Sequence, residues 1–310
     1  MNWILLATFG DFLNAIVAVL DKYIVSDEKA LPKPFVYAFY SCLLSSFWIA
    51  IYFLGFIPLL AHLGIPTFRN LHFPTLEVLS MAFLTAYTLF MALVSMYEAL
   101  RRADASNVMP IIGTISALST FVLSYVFLDV NLSTTHIVGV LLIATGTLFV
   151  AKTLPELESV VHTAHSGLFF ALHYITMKGL FTVAGFDDGF FWSRICFVLF
   201  ALSLLLVPLN FKTIKVQTKS TSKKTGALVM ATKVLAGIAA FLILKATDMG
   251  EVSVVQALDG VRFVFILFIT VLFAHWLPTS ATDRDTRPKT FVRKFMYTIV
   301  IIAGYFLLFA

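Results

Sequence analysis

Ten stretches of about 20 mostly apolar residues follow one another along this chain of 310 residues, and short polar linkers separate them. The hydrocarbon core of a bilayer is about 30 Å thick, so a helix needs about 20 apolar residues to cross it. Hydrophobic residues make up 60% of the chain and charged residues 13%, which leaves too little polar surface for a soluble domain of this length. We therefore expect an all-α membrane protein whose function depends on the few polar residues at membrane depth.

The predicted spans form two groups of five. The first group makes a repeat over residues 1–155 and the second a repeat over residues 160–310. Because the first and sixth spans contain charged residues, nine spans with a re-entrant segment are the alternative. Membrane β-strands are excluded, since they alternate polar and apolar residues over about ten positions and runs such as Val264–Phe273 do not. The bounds of the ten spans are 3–24, 35–60, 76–100, 105–128, 133–151, 164–183, 189–209, 226–247, 252–276 and 295–309.

The linkers divide the basic residues very unevenly between the two sides of the predicted bundle. Fifteen of the 22 Lys and Arg residues lie in linkers on one side, and Arg69 alone lies on the other. The positive-inside rule then places the basic side in the cytoplasm and both termini outside. Two linkers of the basic side, Asn210–Thr225 and Leu277–Lys294, are long and rich in turn-forming residues. We expect both to be solvated, mobile loops.

The two halves contain matching residues in the same order along their spans. An odd number of spans per repeat means that the second repeat crosses the membrane in the opposite sense. The sequence therefore predicts two inverted five-helix repeats with a solute pathway between them, which is a transporter design. The matching pairs are Ala15 with Ala171, Lys22 with Lys178, Ser106 with Ser253, Val108 with Val255, Gly113 with Gly260, Phe121 with Phe268, and Gly146 with Gly304.

Ionisable residues inside the spans are the candidates for a solute site. A charge near the bilayer centre costs about 2.5–3.5 kcal/mol on insertion scales, so it is usually paired or functional. Asp259 and Arg262 lie near the middle of the ninth span, and Gln256 extends the same helical face. Arg262 can bind two oxygens of a carboxylate or phosphate group. We expect these three residues to bind substrate in a central cavity, and a buried pair that only joins two helices is the alternative.

The first, sixth and eighth spans contain further candidates. Asn14 and Lys233 are expected to line the same cavity. Asp11 is a candidate for ion coupling, because a carboxyl group deep in a bilayer is costly to ionise. His173 is a second coupling candidate, since imidazole exchanges protons near physiological pH. The alternatives are an ion pair of Asp11 with Lys233 or Arg262, and a hydrogen bond between helices for His173.

Other polar or small residues of the spans have simpler expected roles. Lys22, Lys178 and Arg194 lie near span ends, where long basic side chains can extend to the membrane surface. The glycines of the fifth and tenth spans are expected to permit close helix packing.

The sequence contains none of the enzyme or metal-site motifs that we sought: HExxH, GxSxG, a P-loop, or Cys/His metal spacing. Cys42 and Cys196 lie inside predicted spans, so neither a disulfide nor a zinc site is expected. We therefore expect no catalytic residue, no metal and no cofactor. The basic linkers set orientation, so no nucleic-acid partner is expected. Transport would be driven by an ion gradient or by the gradient of the substrate itself.

The segment Tyr97–Lys152 has a span ending in Ala-Leu, a short Ala-Ser turn, a helix with an early Pro110, and a Leu/Ile-rich span with two glycines. It resembles the EamA-like repeat of the drug/metabolite transporter superfamily, and Ile243–Phe273 is similar to the same element. The resemblance implies a ten-helix carrier of small metabolites, often an exporter, that works by alternating access. It also implies cytoplasmic termini, contrary to the charge distribution. The chain departs from the family at Asp129, because members commonly have a Glu-Arg pair between spans four and five.

The leading hypothesis is a secondary-active transporter of small organic metabolites in the cell membrane. Its expected partners are a small-molecule solute, the lipid bilayer, and protons as a candidate coupling ion, and the chain is a monomer or a homodimer. A transporter of nucleotide sugars or lipid-linked sugars is the first alternative and would have a larger, more basic cavity. A non-transporting receptor or scaffold is an alternative of another class, although a scaffold has no need of two opposed halves.

Overall fold

The computed structural model describes residues 2–26, 33–57, 65–103, 105–129, 133–150, 157–272 and 288–308. Helices are the only regular structure assigned in these ranges, so the predicted all-α class is confirmed. Six of the helices are long and apolar enough to cross a membrane, and two shorter apolar helices, Thr134–Phe149 and Met296–Leu307, accompany them. The division into ten spans and two inverted repeats stays a prediction.

The first half contains α1 (Asn2–Ser26), α2 (Pro34–Leu44), α3 (Ile51–Leu54), α4 (Leu76–Arg102), α5 (Ala105–Leu128) and α6 (Thr134–Val150). A 3-10 helix, Ser45–Ala50, joins α2 to α3 without a break, and another, Phe68–Asn70, precedes α4. Pro34 begins α2 at a position where a backbone N–H is not needed. Thr75 caps α4, because its hydroxyl accepts a hydrogen bond of 3.3 Å from the backbone N–H of Val78. The predicted third and fourth spans begin where α4 and α5 begin.

The second half contains α7 (Leu157–Leu204), α8 (Pro208–Ser220), α9 (Lys223–Met249), α10 (Val252–Leu258), α11 (Val261–Leu272) and α12 (Pro288–Leu307). A straight helix with the length of α7 would measure about 70 Å, more than twice the hydrocarbon thickness. Gly185 divides α7, because its φ of 76° is a left-handed conformation that glycine adopts without strain. The two limbs, 157–184 and 186–204, correspond to the predicted sixth and seventh spans.

Helix α8 occupies a linker that the sequence predicts as a mobile loop, and that expectation is wrong for residues 210–220. Pro208 begins the helix at its first turn. Ile214 and Gln217 are buried on one face, whereas the three lysines of α8 are exposed. This amphipathic spacing gives the helix a side to bury. The hydroxyls of Tyr40 and Thr218 share a hydrogen bond of 2.6 Å that joins α8 to α2. The other long linker lies partly outside the described residues, which resume at residue 288.

Helices from the two halves pack against one another in corresponding pairs. α4 packs along α7, and α1 packs along α9. Likewise α5 contacts α7, and α1 contacts α11. The first limb of α7 makes the contacts with α4 and α5, through Ser166, His173 and Gly167. When the first five predicted spans are matched in order with the last five, the contact of α4 with α7 corresponds to that of α9 with α1. The contact of α5 with α7 likewise corresponds to that of α11 with α1.

Helices α6 and α12 pack closely through glycines. A Cβ atom added at Gly304 would lie 2.9 Å from the carbonyl oxygen of Gly139. One added at Gly146 would lie 2.9 Å from a side-chain carbon of Ile301. Larger residues at these positions would force the two backbones apart. The glycines of the fifth and tenth predicted spans therefore permit close helix packing, as the sequence indicates.

Two lysines that the sequence analysis matched between the halves make equivalent contacts. Lys22 of α1 donates to the carbonyls of Leu100 and Ala103, at 2.6 and 2.8 Å, at the end of α4. Lys178 of α7 donates to the carbonyls of Thr247, Asp248 and Gly250, at 2.9, 3.0 and 3.0 Å, at the end of α9. Helix C-termini carry unpaired carbonyls and partial negative charge, so a lysine there is stabilising. Both side chains cap helices, whereas the sequence predicts that they extend to the membrane surface.

Candidate functional site

A cavity of about 170 Å³ lies between the two halves of the protein. Residues from α1, α2, α4, α5, α7, α9 and α11 form its wall. Its charged lining residues are Asp21, Arg194, Lys233 and Arg262. Aromatic and aliphatic side chains make up most of the remaining wall. The cavity is therefore an apolar chamber with a few charged groups, which is the usual composition of a small-molecule site.

The cavity is displaced toward the basic side of the bundle. On α4 its lining residues begin at Leu89 and end at Leu100, within the half of the helix that ends at Arg102. On α5 the lining residue is Met109, in the second turn from the same side. On α9 the lining residues Lys233 to Ala240 lie in the middle of the helix. The cavity thus extends from the centre of the predicted membrane toward the side that holds most linker lysines and arginines.

Lys233 belongs to a polar cluster with matched charges. Its Nζ lies 3.2 Å from Oδ1 of Asp21 and donates to the hydroxyl of Tyr97 at 2.9 Å. The hydroxyl of Tyr37 donates to the same oxygen of Asp21. The ammonium also lies 3.9 Å from the centroid of the Tyr37 ring, within the range of a cation–π contact. Because the side chains of Lys233 and Asp21 are 7% and 4% exposed, this is a buried ion pair whose hydrogen bonds hold it in one geometry.

Arg262 is shared by two carboxylates. Its Nη2 forms an ion pair with Asp259 one turn earlier, and it lies 3.6 Å from Oδ1 of Asp11 on α1. Gly113 of α5 makes room for this group, since a Cβ atom there would lie 3.1 Å from Oδ2 of Asp259. Two polar atoms, Oδ2 of Asp11 and Nε of Arg262, are buried without a hydrogen-bond partner among the described residues. The triad is therefore only partly satisfied.

Arg194 is the third cation at the cavity, and it lies on the second limb of α7. It is 4% exposed. Its guanidinium carbon lies 4.8 and 4.3 Å from the ring centroids of Phe190 and Phe197, which precede and follow it on the same helix. Its Nε makes only a long contact of 3.4 Å with the hydroxyl of Ser193. Among the described residues no carboxylate pairs with it, and its buried Nη2 donates to no hydrogen-bond acceptor.

The remaining predicted site residues have separate positions. Asn14 lines the cavity. Gln256 is buried and accepts a hydrogen bond of 3.1 Å from the hydroxyl of Ser116, outside the cavity lining. His173 is also buried away from the lining, and its Nδ1 donates to the carbonyl of Thr85 at 3.0 Å, because a carbonyl can only accept. The structure thus brings Arg262, Lys233 and Asn14 to the cavity, with Asp11 and Asp259 behind Arg262.

Four residues of the site are not among those predicted from the sequence: Asp21, Tyr37, Tyr97 and Arg194. One signal was available for Asp21, because it follows Asn14 by seven residues and so lies on the same helical face. The two tyrosines have no distinguishing pattern among the aromatic residues of their helices. Arg194 lies five residues inside its predicted span, which made an extension to the membrane surface the simpler interpretation.

A polar network joins two segments at the end of the bundle opposite the basic side. The carboxylate of Asp188 accepts from the backbone N–H of His72 at 2.8 Å and contacts its Nδ1 at 2.9 Å. The carboxylate of Asp187 accepts a hydrogen bond of 2.8 Å from the side-chain amide of Asn70. The backbone carbonyl of Asp187 accepts one of 2.5 Å from the hydroxyl of Tyr52. These contacts join the segment before α4 to the turn that divides α7. We call this network the outer latch.

Comparison with known proteins gives the family of the first half. The model of the EamA-like transporter family matches residues 1–152. The first 152 residues are thus similar to the EamA-like transporter family. The EamA-like match ends within three residues of the boundary predicted for the first repeat, and it is consistent with the drug/metabolite transporter superfamily. Members of this family are membrane transporters.

A solved crystal structure is similar to this chain over nearly its whole length. The two share 13% sequence identity at a TM-score of 0.62, and the alignment covers 97% of this chain and 96% of the other. At this identity the likeness shows the fold alone. It includes the second half of the chain, which the family match does not reach. None of the curated proteins compared with the chain matches it.

Proposed function

We propose that this multi-pass membrane protein is a secondary-active transporter that exports small organic metabolites by alternating access. The observation that carries the proposal is the cavity between the two halves, which brings three cationic side chains to the middle of a bundle that lipid surrounds. Charged groups are costly at that depth, so their concentration around one hollow favours a solute pathway. The similarity of the first half to a transporter family supports the same conclusion.

Corresponding contacts in the two halves support two inverted repeats. Lys22 and Lys178 occupy matched sequence positions, and each caps the third helix of its own predicted repeat. The pairs α4–α7 and α1–α9 are related in the same way, and α6–α12 joins the last span of each repeat. In inverted-repeat transporters, rocking of one repeat against the other opens a central site alternately to the two sides.

The arrangement of cavity and latch favours a conformation open toward the basic side. The outer latch joins the loop after α3 to the turn at Gly185, so it closes the opposite side. Export from the cytoplasm then requires that the latch contacts of Asp187 and Asp188 break once solute has bound. In this proposal the protein lies in the cell membrane, with its basic side toward the cytoplasm and both termini outside.

The triad of Asp11, Asp259 and Arg262 is our candidate for proton coupling. One guanidinium faces two carboxylates, and Tyr174 of α7 is the other titratable group that interacts with them. A proton bound to Asp11 would remove one of the two attractions that hold Arg262 and so would loosen the contact between α1 and α11. His173 remains a second coupling candidate, although its hydrogen bond to Thr85 already accounts for its position.

The size of the cavity favours a small solute. Sites for drug-sized ligands measure about 300–1,000 Å³, whereas this cavity measures about 170 Å³. A nucleotide sugar would need a larger chamber, so that alternative is less well supported. A scaffold without transport activity would gain nothing from buried charges around a hollow.

The proposal is tested by replacing Arg262 and measuring flux. Ligands found by thermal-shift screening of a metabolite library would be labelled and followed in proteoliposomes, because a ligand that binds only the folded state raises its melting temperature. We expect Arg262→Ala to insert normally, as judged by gel filtration, and to lose most of the flux. Arg69→Ala is the control, since that side chain lies outside the spans. Unchanged flux in Arg262→Ala would reject the site, and absence of flux for every ligand in the wild type would reject the transporter.

A further inference from the structure

We infer that Arg194 is the group that binds the substrate and that the substrate is a small organic monoanion, with one carboxylate and an apolar body. This inference rests on the proposed transport function and gives it a substrate class. It also differs from the expectation drawn from the sequence, in which Arg262 binds the carboxylate or phosphate group. The three cations at the cavity differ in whether a carboxylate already balances their charge.

Two of the three cations already have carboxylate partners. Lys233 is paired with Asp21 at 3.2 Å and is further held by two tyrosines. Arg262 is paired with Asp259 and lies 3.6 Å from Asp11. A solute carboxylate at either place would have to displace or oppose a protein carboxylate that is already buried there. Both positions are therefore poor first contacts for an anion.

Arg194 has no such competitor in the described part of the chain. Its side chain lines the cavity, is more than nine-tenths buried, and has an Nη2 atom without a hydrogen-bond partner. An uncompensated buried charge is destabilising by several kcal/mol, so the empty protein bears a cost that an anion would relieve. The faces of Phe190 and Phe197 hold the guanidinium, which leaves its N–H edge for a planar carboxylate.

The cavity also limits the rest of the substrate. One unmatched positive charge favours one negative charge, whereas a phosphate monoester carries about −1.5 to −2 at neutral pH and would leave an excess. Trp48, Leu93, Met96 and Phe170 are among the apolar side chains of the wall, so the body of the substrate is apolar. The cavity of about 170 Å³ is smaller than the about 300–1,000 Å³ of sites for drug-sized ligands, which suits a short-chain or single-ring acid.

The test measures binding and stability together in the purified, detergent-solubilised protein. The probes are hexanoate and 3-phenylpropanoate, the amide of each acid, and phenyl phosphate. We expect at least one of the two carboxylates to raise the melting temperature of the wild type more than its amide or phenyl phosphate does. In Arg194→Gln the affinity for that carboxylate should fall at least about tenfold, because charge-assisted hydrogen bonds are lost. Arg194→Lys retains the charge without the planar guanidinium, so its affinity for the carboxylate should lie between those of the wild type and Arg194→Gln.

A structural role for Arg194 predicts the opposite effect on stability. If the residue only packs against its phenylalanines, Arg194→Gln should lower the melting temperature of the ligand-free protein. We expect it to raise that temperature, since the substitution removes an unpaired buried charge. Lys178→Gln is the matched control: it removes a cation that caps α9 away from the cavity, so it should lower stability and leave carboxylate affinity unchanged.

The inference and the transport function fail in different ways. Equal stabilisation of the wild type by the amides, or undiminished carboxylate binding in Arg194→Gln, would overturn the inference. Flux of a neutral or cationic solute through the same protein, unaffected by Arg194→Gln, would also overturn it while leaving transport intact. Loss of carboxylate flux in Arg194→Gln, with flux retained in Lys178→Gln, would support both.

Discussion

The buried pair of Asp21 and Lys233 allows the energetics of the cavity wall to be measured directly. The charged atoms lie 3.2 Å apart and the two side chains are almost fully buried, so neither charge can be compensated by water. Removing one partner of a buried pair costs about 3–5 kcal/mol, because the other charge is left alone. We therefore expect Lys233→Met and Asp21→Asn each to lower the free energy of unfolding by about 3–5 kcal/mol.

The double variant should be more stable than either single variant. Replacing a whole buried pair is often neutral or even stabilising, although Tyr97 loses a partner, which costs about 1–3 kcal/mol. We expect a total loss of about 1–3 kcal/mol for Asp21→Asn/Lys233→Met. The coupling energy is then at least about 3 kcal/mol. The assay is equilibrium unfolding in mixed micelles, followed by tryptophan fluorescence. Additive losses, with the double variant the least stable, would refute a coupled pair.

Further substitutions test the packing of the helices. Gly237→Ala should lower the melting temperature, because a methyl group there would overlap the indole of Trp48. When Trp48→Ala is already present, adding Gly237→Ala should lower the melting temperature no further. Gly304→Leu should destabilise the protein by about 1–3 kcal/mol through overpacking, as measured by unfolding in mixed micelles. Lys22→Met and Lys178→Met should each lower the melting temperature by similar amounts if the two caps are equivalent. A loss in one lysine variant alone would contradict the correspondence of the repeats.

Much of the fold follows from the sequence, because lipid imposes length and composition on a spanning helix. The starts of α4 and α5 coincide with predicted spans, and Gly185 separates two spans that the sequence also separates. The sequence predicts a loop where α8 lies, since its lysines and turn-forming residues outweigh the one face on which Ile214 and Gln217 are buried. Such a face stabilises a helix only when another element packs against it. The local sequence of α8 does not indicate that α2 is that element.

The site was predictable only in part, because pairing across a bundle leaves little trace in the chain. Asp259 and Arg262 are three residues apart, and their contact could be read from helical spacing. The partners Asp21 and Lys233 are 212 positions apart, so nothing local indicates which aspartate Lys233 meets. The importance of Arg194 arises from the absence of a carboxylate near it within the described residues, and an absence of that kind has no sequence signal.

Accessibility of the cavity from the two sides of the membrane tests alternating access most directly. A single cysteine would be introduced by Ala240→Cys, at a lining position of α9, after Cys42→Ala and Cys196→Ala remove the natural thiols. The control is Ala239→Cys, because that neighbouring position is fully buried. A membrane-impermeant maleimide would be added to sealed vesicles of each orientation. We predict that the cysteine at the lining position reacts from both sides and that the control does not react, whereas reaction from one side only would contradict alternating access.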